Sequence, residues 1–295
     1  MKILLTGSTG FLGKAIKEII PVDDLITLGR HDCNIIADIS VDFPILPPVN
    51  YVIHAAGKAH LVPKTEKDKY DFHLINVIGT QNLLKALEHN LPESFLFISS
   101  VAVYGKSTGI LINEEEELTA IDSYGKSKIE AERLVKKWCS RNGVRVSILR
   151  LPLVVGPNPP GNLGAMIKGI QKGYYFNIAG GIARKSMVSR IDVAKIIPKA
   201  LEVGGVYNLT DGYHPSISEL SHHIAMQFEK KILVNVPLWV ARILAKTGDL
   251  LGRKSPLNSN KLHKLTANLT FDDSKARRDL SWAPKPVVVN SISHD

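Results

Sequence analysis

Two side chains four residues apart, Tyr124 and Lys128, are of the types that transfer protons at a hydroxyl or carbonyl oxygen. Residues i and i+4 of a helix share one face. A free tyrosine has a pKa of about 10, and a nearby ammonium group stabilises tyrosinate and lowers that value. The spacing therefore predicts an acid/base pair in which Lys128 lowers the pKa of Tyr124 toward neutrality.

Three glycines at three-residue intervals, Gly7, Gly10 and Gly13, follow the first strand-like segment. Between a strand and a helix, such glycines let the backbone approach a pyrophosphate, whose charge the helix N-terminus stabilises, and they allow close helix–strand packing. This context predicts a dinucleotide-binding turn. The residues within the turn that we expect to contact the dinucleotide are Thr9, Phe11 and Leu12.

The end of the second predicted strand bears on the type of dinucleotide. An Asp or Glu there usually holds the ribose hydroxyls of NAD, whereas an arginine accommodates the 2′-phosphate of NADP. This strand ends at Gly29 and Arg30, and the first acid after it is Asp32. The sequence favours NADP(H) over NAD(H), with a solvated loop position as the alternative for Arg30.

These groups need a scaffold, and the first half of the chain alternates short apolar runs with helix-like stretches. That alternation predicts an α/β fold, a doubly wound parallel sheet of the Rossmann type. The helix over 124–141 is expected to end at Asn142-Gly143. Prolines and glycines cluster at 156–161, so we expect a dinucleotide-binding domain over 1–155, to which later segments return, and a smaller, mostly helical substrate lobe over 156–295.

Composition narrows the functional classes. The 295 residues are 44% hydrophobic, enough for a large core, and the net charge is +9. The cations are scattered among acids, so a phosphate-bearing ligand is favoured and no nucleic acid is expected. Cys33 and Cys139 lack zinc or disulfide spacing, which predicts no metal and a reduced, cytoplasmic location. No apolar run approaches the length of about 20 residues that a membrane span needs.

Several motifs occur in order along nearly the whole chain, and together they resemble the extended short-chain dehydrogenase/reductases that act on nucleotide sugars, the group of UDP-glucose 4-epimerase. They lie at residues 6–13, 54–56, 76–80, 99–105, 124–128 and 149–157. The segments after residue 156 are similar to bacterial 4-ketoreductases of UDP-2-acetamido-2,6-dideoxy-4-ketohexoses, which serve surface polysaccharide synthesis. The resemblance implies an enzyme that moves hydride through a nicotinamide dinucleotide.

The resemblance also assigns roles near the pair. Ser100, four positions before Tyr104, is the hydroxyl expected to hydrogen-bond the reacting oxygen beside Tyr124. Sugar 4,6-dehydratases of the family carry Asp-Glu directly after this hydroxyl; the chain has Val101 and Ala102, so dehydration is not expected. Ser99 is interpreted as a backbone-facing strand residue that could substitute. The further cofactor contacts implied, besides Tyr124 and Lys128, are Asp38, Ile39, His54, Ala55, Ala56, Gly57, Asn76, Ser99 and Leu151.

In the second lobe, Asn162 matches an asparagine that touches the nucleotide diphosphate, and Arg184 or Lys185 matches the basic residue that pairs with it. Ser100 and Tyr124 complete the expected substrate contacts. Leu153 replaces an asparagine of 4-epimerases. We therefore expect reduction of a 4-keto nucleotide sugar.

Two alternatives stay open. One is a C4 epimerase of the UDP-GlcNAc or UDP-Glc type with tightly bound NAD, and the remoter one is a non-catalytic NADP-sensing or RNA-binding scaffold. By analogy, a homodimer through helices near 70–90 and 124–141 is also expected. The stretch 236–246 is interpreted as a helix covering the second lobe, with a membrane-surface helix as the alternative.

Overall fold

A computed structural model describes residues 1–59, 63–230, 234–250 and 257–287. Within these ranges, seven parallel strands form the central sheet: β1 (Ile3–Thr6), β2 (Leu25–Gly29), β3 (Ile35–Ile36), β4 (Tyr51–His54), β5 (Ser94–Ser100), β7 (Arg145–Leu151) and β11 (Gly205–Asn208). Their order across the sheet is β11-β7-β5-β4-β1-β2-β3. The predicted α/β class is confirmed.

The inner strands are runs of buried apolar residues because helices cover both faces of the sheet. One face packs against α1 (Phe11–Ile19), α6 (Arg190–Val203) and α10 (Ser274–Leu280), and the other against α3 (Gly79–Ala86) and α4 (Ser123–Asn142). The helix α4 ends at Asn142 as predicted, because Gly143 adopts a left-handed φ of 66° and donates its N–H to the Cys139 carbonyl.

The strand order reverses beside β1, which lies between β2 and β4. Parallel strands bring their carboxyl ends to one edge, and ligands of such sheets bind in the crevice at this reversal. The glycine turn follows β1 and residues 55–57 follow β4. The sheet therefore gathers the sequence-predicted cofactor residues at one crevice.

Most segments after residue 153 lie outside the central sheet. The exceptions are β11, which is a strand of the sheet, and α6 and α10, which pack on one of its faces. Paired short strands and packed helices make up this part. The remaining strands are β6 (Gly109–Ile112), β8 (Leu153–Val155), β9 (Phe176–Ile178), β10 (Met187–Ser189), β12 (Val234–Val236) and β13 (Leu269–Phe271). The remaining helices are α2 (Glu66–His73), α5 (Gly161–Gln171), α7 (Ile217–Gln227), α8 (Leu238–Leu250) and α9 (Ser259–Thr266). In the described ranges, every helix is too short or too polar to cross a membrane.

Candidate active site

The turn after β1 needs its glycines for space as well as for conformation. Gly7 has a φ of 74°, and a Cβ there would lie 2.6 Å from the backbone nitrogen of Ala56. A Cβ on Gly13 would overlap the carbonyl oxygen of Gly7. These close approaches bring the turn against the end of β4 and leave the N-terminus of α1 facing the crevice.

A cleft of about 440 Å³ lies at this crevice. Half of the predicted cofactor residues line it: Gly7, Thr9, Gly10, Arg30, Asp38, Ile39, Ala55, Ala56 and Gly57. Its volume, its glycine-lined wall and the adjoining helix N-terminus fit a dinucleotide. The residues present therefore suit the nicotinamide cofactor that the sequence predicted.

The end of β2 presents two basic side chains to this cleft. Arg30 and His31 both line it, and Arg30 is exposed. Asp32 lies outside the lining, and its carboxylate accepts from His31 Nδ1 at 2.9 Å. His31 was missed by the sequence reasoning, because the sequence does not show that its side chain lines the cleft.

Lys128 is held in place by β5 and by an aromatic face. Its Nζ donates to the carbonyl oxygen of Ile98 at 2.9 Å and lies 4.6 Å from the ring centre of Phe97. A Cβ on Gly57 would lie 3.3 Å from the same Nζ, so the ammonium adjoins the cofactor cleft. Burial lowers the pKa of Lys128 to about 8, and the carboxylate of Glu132 opposes that shift.

Tyr124 and Ser100 interact directly, which agrees with the predicted pairing of the two hydroxyls. The expected lowering of the Tyr124 pKa by Lys128 is wrong for this structure. Burial raises the pKa of Tyr124 above 10.0, the charge of Asp122 raises it further, and the hydrogen bond with Ser100 opposes both. The sequence could not reveal this because burial of the phenol depends on its tertiary neighbours, such as the Phe72 ring at 5.9 Å.

Asn76 lies in a π turn, Leu74–Ile78, that joins α2 to α3. Such turns are frequent at functional sites. Asn76 Nδ2 donates to Ser127 Oγ at 2.9 Å, and Ser127 Oγ donates to the Tyr124 carbonyl at 2.8 Å. Asn76 Oδ1 accepts from the Lys58 N–H at 2.7 Å. Asn76 thus connects the strand end at the cleft to the helix that carries Tyr124 and Lys128.

Several predicted cofactor residues have side chains that do not line the cleft. His54 is buried, and its ring nitrogens contact Thr6 Oγ1 at 2.7 Å and Thr80 Oγ1 at 2.9 Å. Ser99 Oγ donates to Glu132 at 2.6 Å. Leu12 and Leu151 pack in the core beneath the crevice, and Phe11 lies under Arg190.

The three predicted substrate residues of the second lobe are in different situations. Asn162 is exposed in the first turn of α5. Arg184 is exposed, donates to the His214 carbonyl at 3.0 Å, and lies 3.6 Å from Glu219. Lys185 Nζ donates to the carbonyls of Lys264 at 3.0 Å and Ala267 at 2.8 Å, so it satisfies the C-terminal end of α9.

Two important side chains were missed by the sequence reasoning, Glu132 and Arg150. Both are buried and they form a two-bond ion pair across α4 and β7. The only sequence signal was a carboxylate four residues after Lys128, which is ordinary on a solvated helix face.

Comparison with known proteins identifies the family of the chain. A model of the NAD dependent epimerase/dehydratase family matches residues 3–210. The chain therefore belongs to this family and is an enzyme of the extended short-chain dehydrogenase/reductase class.

Relatives with different reactions align over most of the chain. The UDP-glucose 4-epimerase of Vibrio cholerae is 30% identical, with 96% of this chain and 90% of the relative covered. The GDP-6-deoxy-D-mannose reductase of Pseudomonas aeruginosa is also 30% identical, over 76% of this chain and 79% of its own length. The N-acetyl-alpha-D-glucosaminyl-diphospho-ditrans,octacis-undecaprenol 4-epimerase of Escherichia coli O157:H7 is 25% identical over 96% and 90%.

Solved structures share the fold. The UDP-N-acetylglucosamine 4-epimerase from Bacillus cereus superposes with a TM-score of 0.76 at 23% identity, covering 99% of this chain and 96% of that one. RMD from Pseudomonas aeruginosa complexed with NADPH gives a TM-score of 0.75 at 22% identity, covering 99% and 97%. The predicted Rossmann-type sheet is thus found in both.

Proposed function

We propose that the chain reduces the C4 ketone of a nucleotide-diphosphate sugar, of the UDP-2-acetamido-2,6-dideoxy-4-ketohexose type, with NADPH. The observation that carries the proposal is the hydrogen bond between the Tyr124 phenol and Ser100, one helical turn from the Lys128 ammonium that adjoins the cofactor cleft. Burial also raises the pKa of Tyr124. A phenol that keeps its proton at neutral pH is suited to protonate an oxygen on which negative charge develops. The first step of an epimerase instead requires a phenolate that removes a proton from the C4 hydroxyl.

The chemical groups at and beside the crevice divide the reaction among them. The bound nicotinamide supplies the hydride. Ser100 hydrogen-bonds the ketone oxygen, and Tyr124 donates the proton that converts this oxygen to a hydroxyl. Lys128, whose ammonium adjoins the cleft, holds positive charge next to that oxygen. Arg30 and His31 bind the 2′-phosphate of NADP, which favours NADPH over NADH.

For the sugar nucleotide, we assign the diphosphate to Arg184 and Asn162. The guanidinium of Arg184 is exposed and can exchange the distant carboxylate of Glu219 for two phosphate oxygens. Lys185 is a weaker candidate because its ammonium already bonds two carbonyl groups. The GDP-6-deoxy-D-mannose reductase supports a reductase acting on a nucleotide sugar.

A C4 epimerase with tightly bound NAD is the second candidate, because a UDP-glucose 4-epimerase aligns with 96% of the chain. One experiment separates the two. The purified protein is mixed with NADPH and the UDP-linked 4-keto-6-deoxy sugar, and separately with UDP-GlcNAc without added cofactor. Loss of the NADPH absorbance only with the ketone supports the reductase, whereas formation of UDP-GalNAc in the second mixture refutes it.

The Tyr124→Phe variant tests the chemistry itself. It should lower kcat by about 10²- to 10⁴-fold, the usual contribution of a general acid. NADPH affinity, measured by calorimetry, should change little because the ring remains. Turnover equal to that of the unchanged protein would remove Tyr124 from the reaction.

A further inference from the structure

The helix α8 has its large apolar side chains on the outside. Trp239, Ile243 and Leu250 are 67%, 56% and 89% exposed. Its buried side consists of small residues: Ala241, Ala245 and Gly248. A helix that only covered a core would place its large apolar residues inward. The outer side of α8 therefore needs a different explanation from packing within the chain.

The exposed residues form one continuous stripe. Positions 239, 243, 246 and 250 follow one another at intervals of four, three and four, which places them on one helix face. Lys246 lies within the stripe and Arg242 lies along its edge. In the part of the chain that the structure describes, neither cation takes part in an ion pair. The stripe thus combines apolar bulk with uncompensated positive charge.

The neighbouring helix α9 extends this surface. A groove of about 360 Å³ between the two helices is lined by Arg242, Lys246 and His263 together with apolar side chains. Leu265 of α9 is 48% exposed. We refer to the exposed side chains of α8 and α9, with this groove, as the α8–α9 surface.

Charge is concentrated in this segment of the sequence. Residues 238–267 contain six lysines and arginines and a single acid, Asp249. This imbalance accounts for more than half of the net charge of +9. Asp249 accepts hydrogen bonds from Ser259 N and Oγ, which tie α8 to α9.

We propose that the α8–α9 surface docks the protein on an anionic lipid bilayer. Helices of this kind lie in the interface, with Trp and aliphatic residues at the headgroup boundary and lysines and arginines against lipid phosphates. A second copy of the chain fits less well, because a symmetric contact would bring two copies of Arg242 and Lys246 into one interface without an acid to pair with them. The binding is peripheral, because the apolar stripe lies on one helix face.

Co-sedimentation of the full chain with vesicles tests this. Vesicles of phosphatidylcholine alone are compared with vesicles containing 30% phosphatidylglycerol, at about 0.1 M and about 0.5 M NaCl. We expect binding only to the anionic vesicles, with loss at high salt. The emission of Trp239 should shift to the blue on binding, and Trp239→Phe should remove the shift, since Trp138 and Trp282 are more buried.

The matched variants are Arg242→Glu/Lys246→Glu and, as control, Arg133→Glu/Lys137→Glu on the exposed side of α4. Both pairs change the net charge equally. The first pair should reduce the vesicle partition coefficient by at least about 30-fold, because each cation near an anionic surface contributes about fivefold. The control pair should reduce it by less than about threefold.

Several results would overturn the proposal. One is no binding to either vesicle, and another is equal loss in both charge variants. A third is a dimer, seen by analytical ultracentrifugation, that Trp239→Ser dissociates, since a second copy would then cover the stripe. The proposal would also be overturned if the α8–α9 surface bound a soluble acidic protein and did not bind anionic vesicles. Circular dichroism and melting temperature of each variant ensure that a lost interaction is not lost folding.

Discussion

Glu132 and Arg150 form a buried ion pair beneath the candidate active site, with Nε–Oε1 and Nη2–Oε2 distances of 3.0 and 2.8 Å. Ser99 donates a third hydrogen bond to the carboxylate, and Tyr104 accepts one from Arg150 Nη1 at 3.0 Å. Burying two charges requires this full set of partners. Glu132 also follows Lys128 by one helical turn, and its charge raises the pKa of the Lys128 ammonium, so the ion pair and this ammonium are electrostatically connected.

The first prediction concerns the alkaline limb of the pH–rate profile. Lys128 loses its proton as the pH rises through about 8, and the charge of Glu132 holds its pKa up. In Glu132→Gln this support is absent, so the pKa falls and the loss of activity should begin about one pH unit lower. The measurement is kcat between pH 6 and 10.

The matched control is Glu130→Gln on the exposed side of the same helix, where Glu130 pairs with His73 at 3.4 Å. Its profile should match that of the unchanged protein. Glu132→Gln also leaves Arg150 without its charge partner and should lower the free energy of unfolding by about 3 kcal/mol or more. An equal loss of activity at every pH would mean that Glu132 acts only on folding.

Tyr124 and Lys128 illustrate which features of the site could be predicted from the sequence and which could not. Their spacing, the glycine turn and the alternation of apolar runs predicted the helix, the crevice and the sheet, because these depend on local periodicity. The direction of the Tyr124 pKa shift did not follow, because it depends on the depth of burial. Arg150 and Glu132 are 18 residues apart on different elements, and only tertiary packing places them together.

Arg30 provides the second prediction. Its guanidinium faces the cleft and should bind the 2′-phosphate that distinguishes NADPH from NADH. Arg30→Ala should raise the KM for NADPH by about 10- to 100-fold, as expected for a hydrogen bond to a charged group, and leave the KM for NADH nearly unchanged. Steady-state kinetics with both cofactors measures this. A clear NADH preference in the unchanged protein would contradict the role of Arg30.

The two adjacent cations of the second lobe give a third prediction. Arg184→Met should raise the KM for the sugar nucleotide by about tenfold or more, with little change in melting temperature, because its guanidinium is exposed. Lys185→Met should leave this KM nearly unchanged and lower the melting temperature, since it removes the donor to two carbonyls at the end of α9. If Lys185→Met alone raises this KM, the diphosphate belongs to Lys185.

His54 gives the last prediction, on stability in acid. Burial and the charge of Lys128 lower the pKa of His54 from 6.5 to about 3. Between these values the unfolded chain binds a proton that the folded chain does not, so stability falls as the pH decreases from about 6.5 toward 3. This group contributes at most about 1.4 kcal/mol per pH unit.

In His54→Gln that proton is absent from both states. The variant should be less stable at pH 7, because the bonds to Thr6 and Thr80 are disturbed, but its unfolding free energy should fall less steeply between pH 6 and 4. Urea unfolding at each pH measures the slope, and His89→Gln, at an exposed position, is the control. Parallel slopes for His54→Gln and the unchanged protein would show that His54 does not stay neutral when folded.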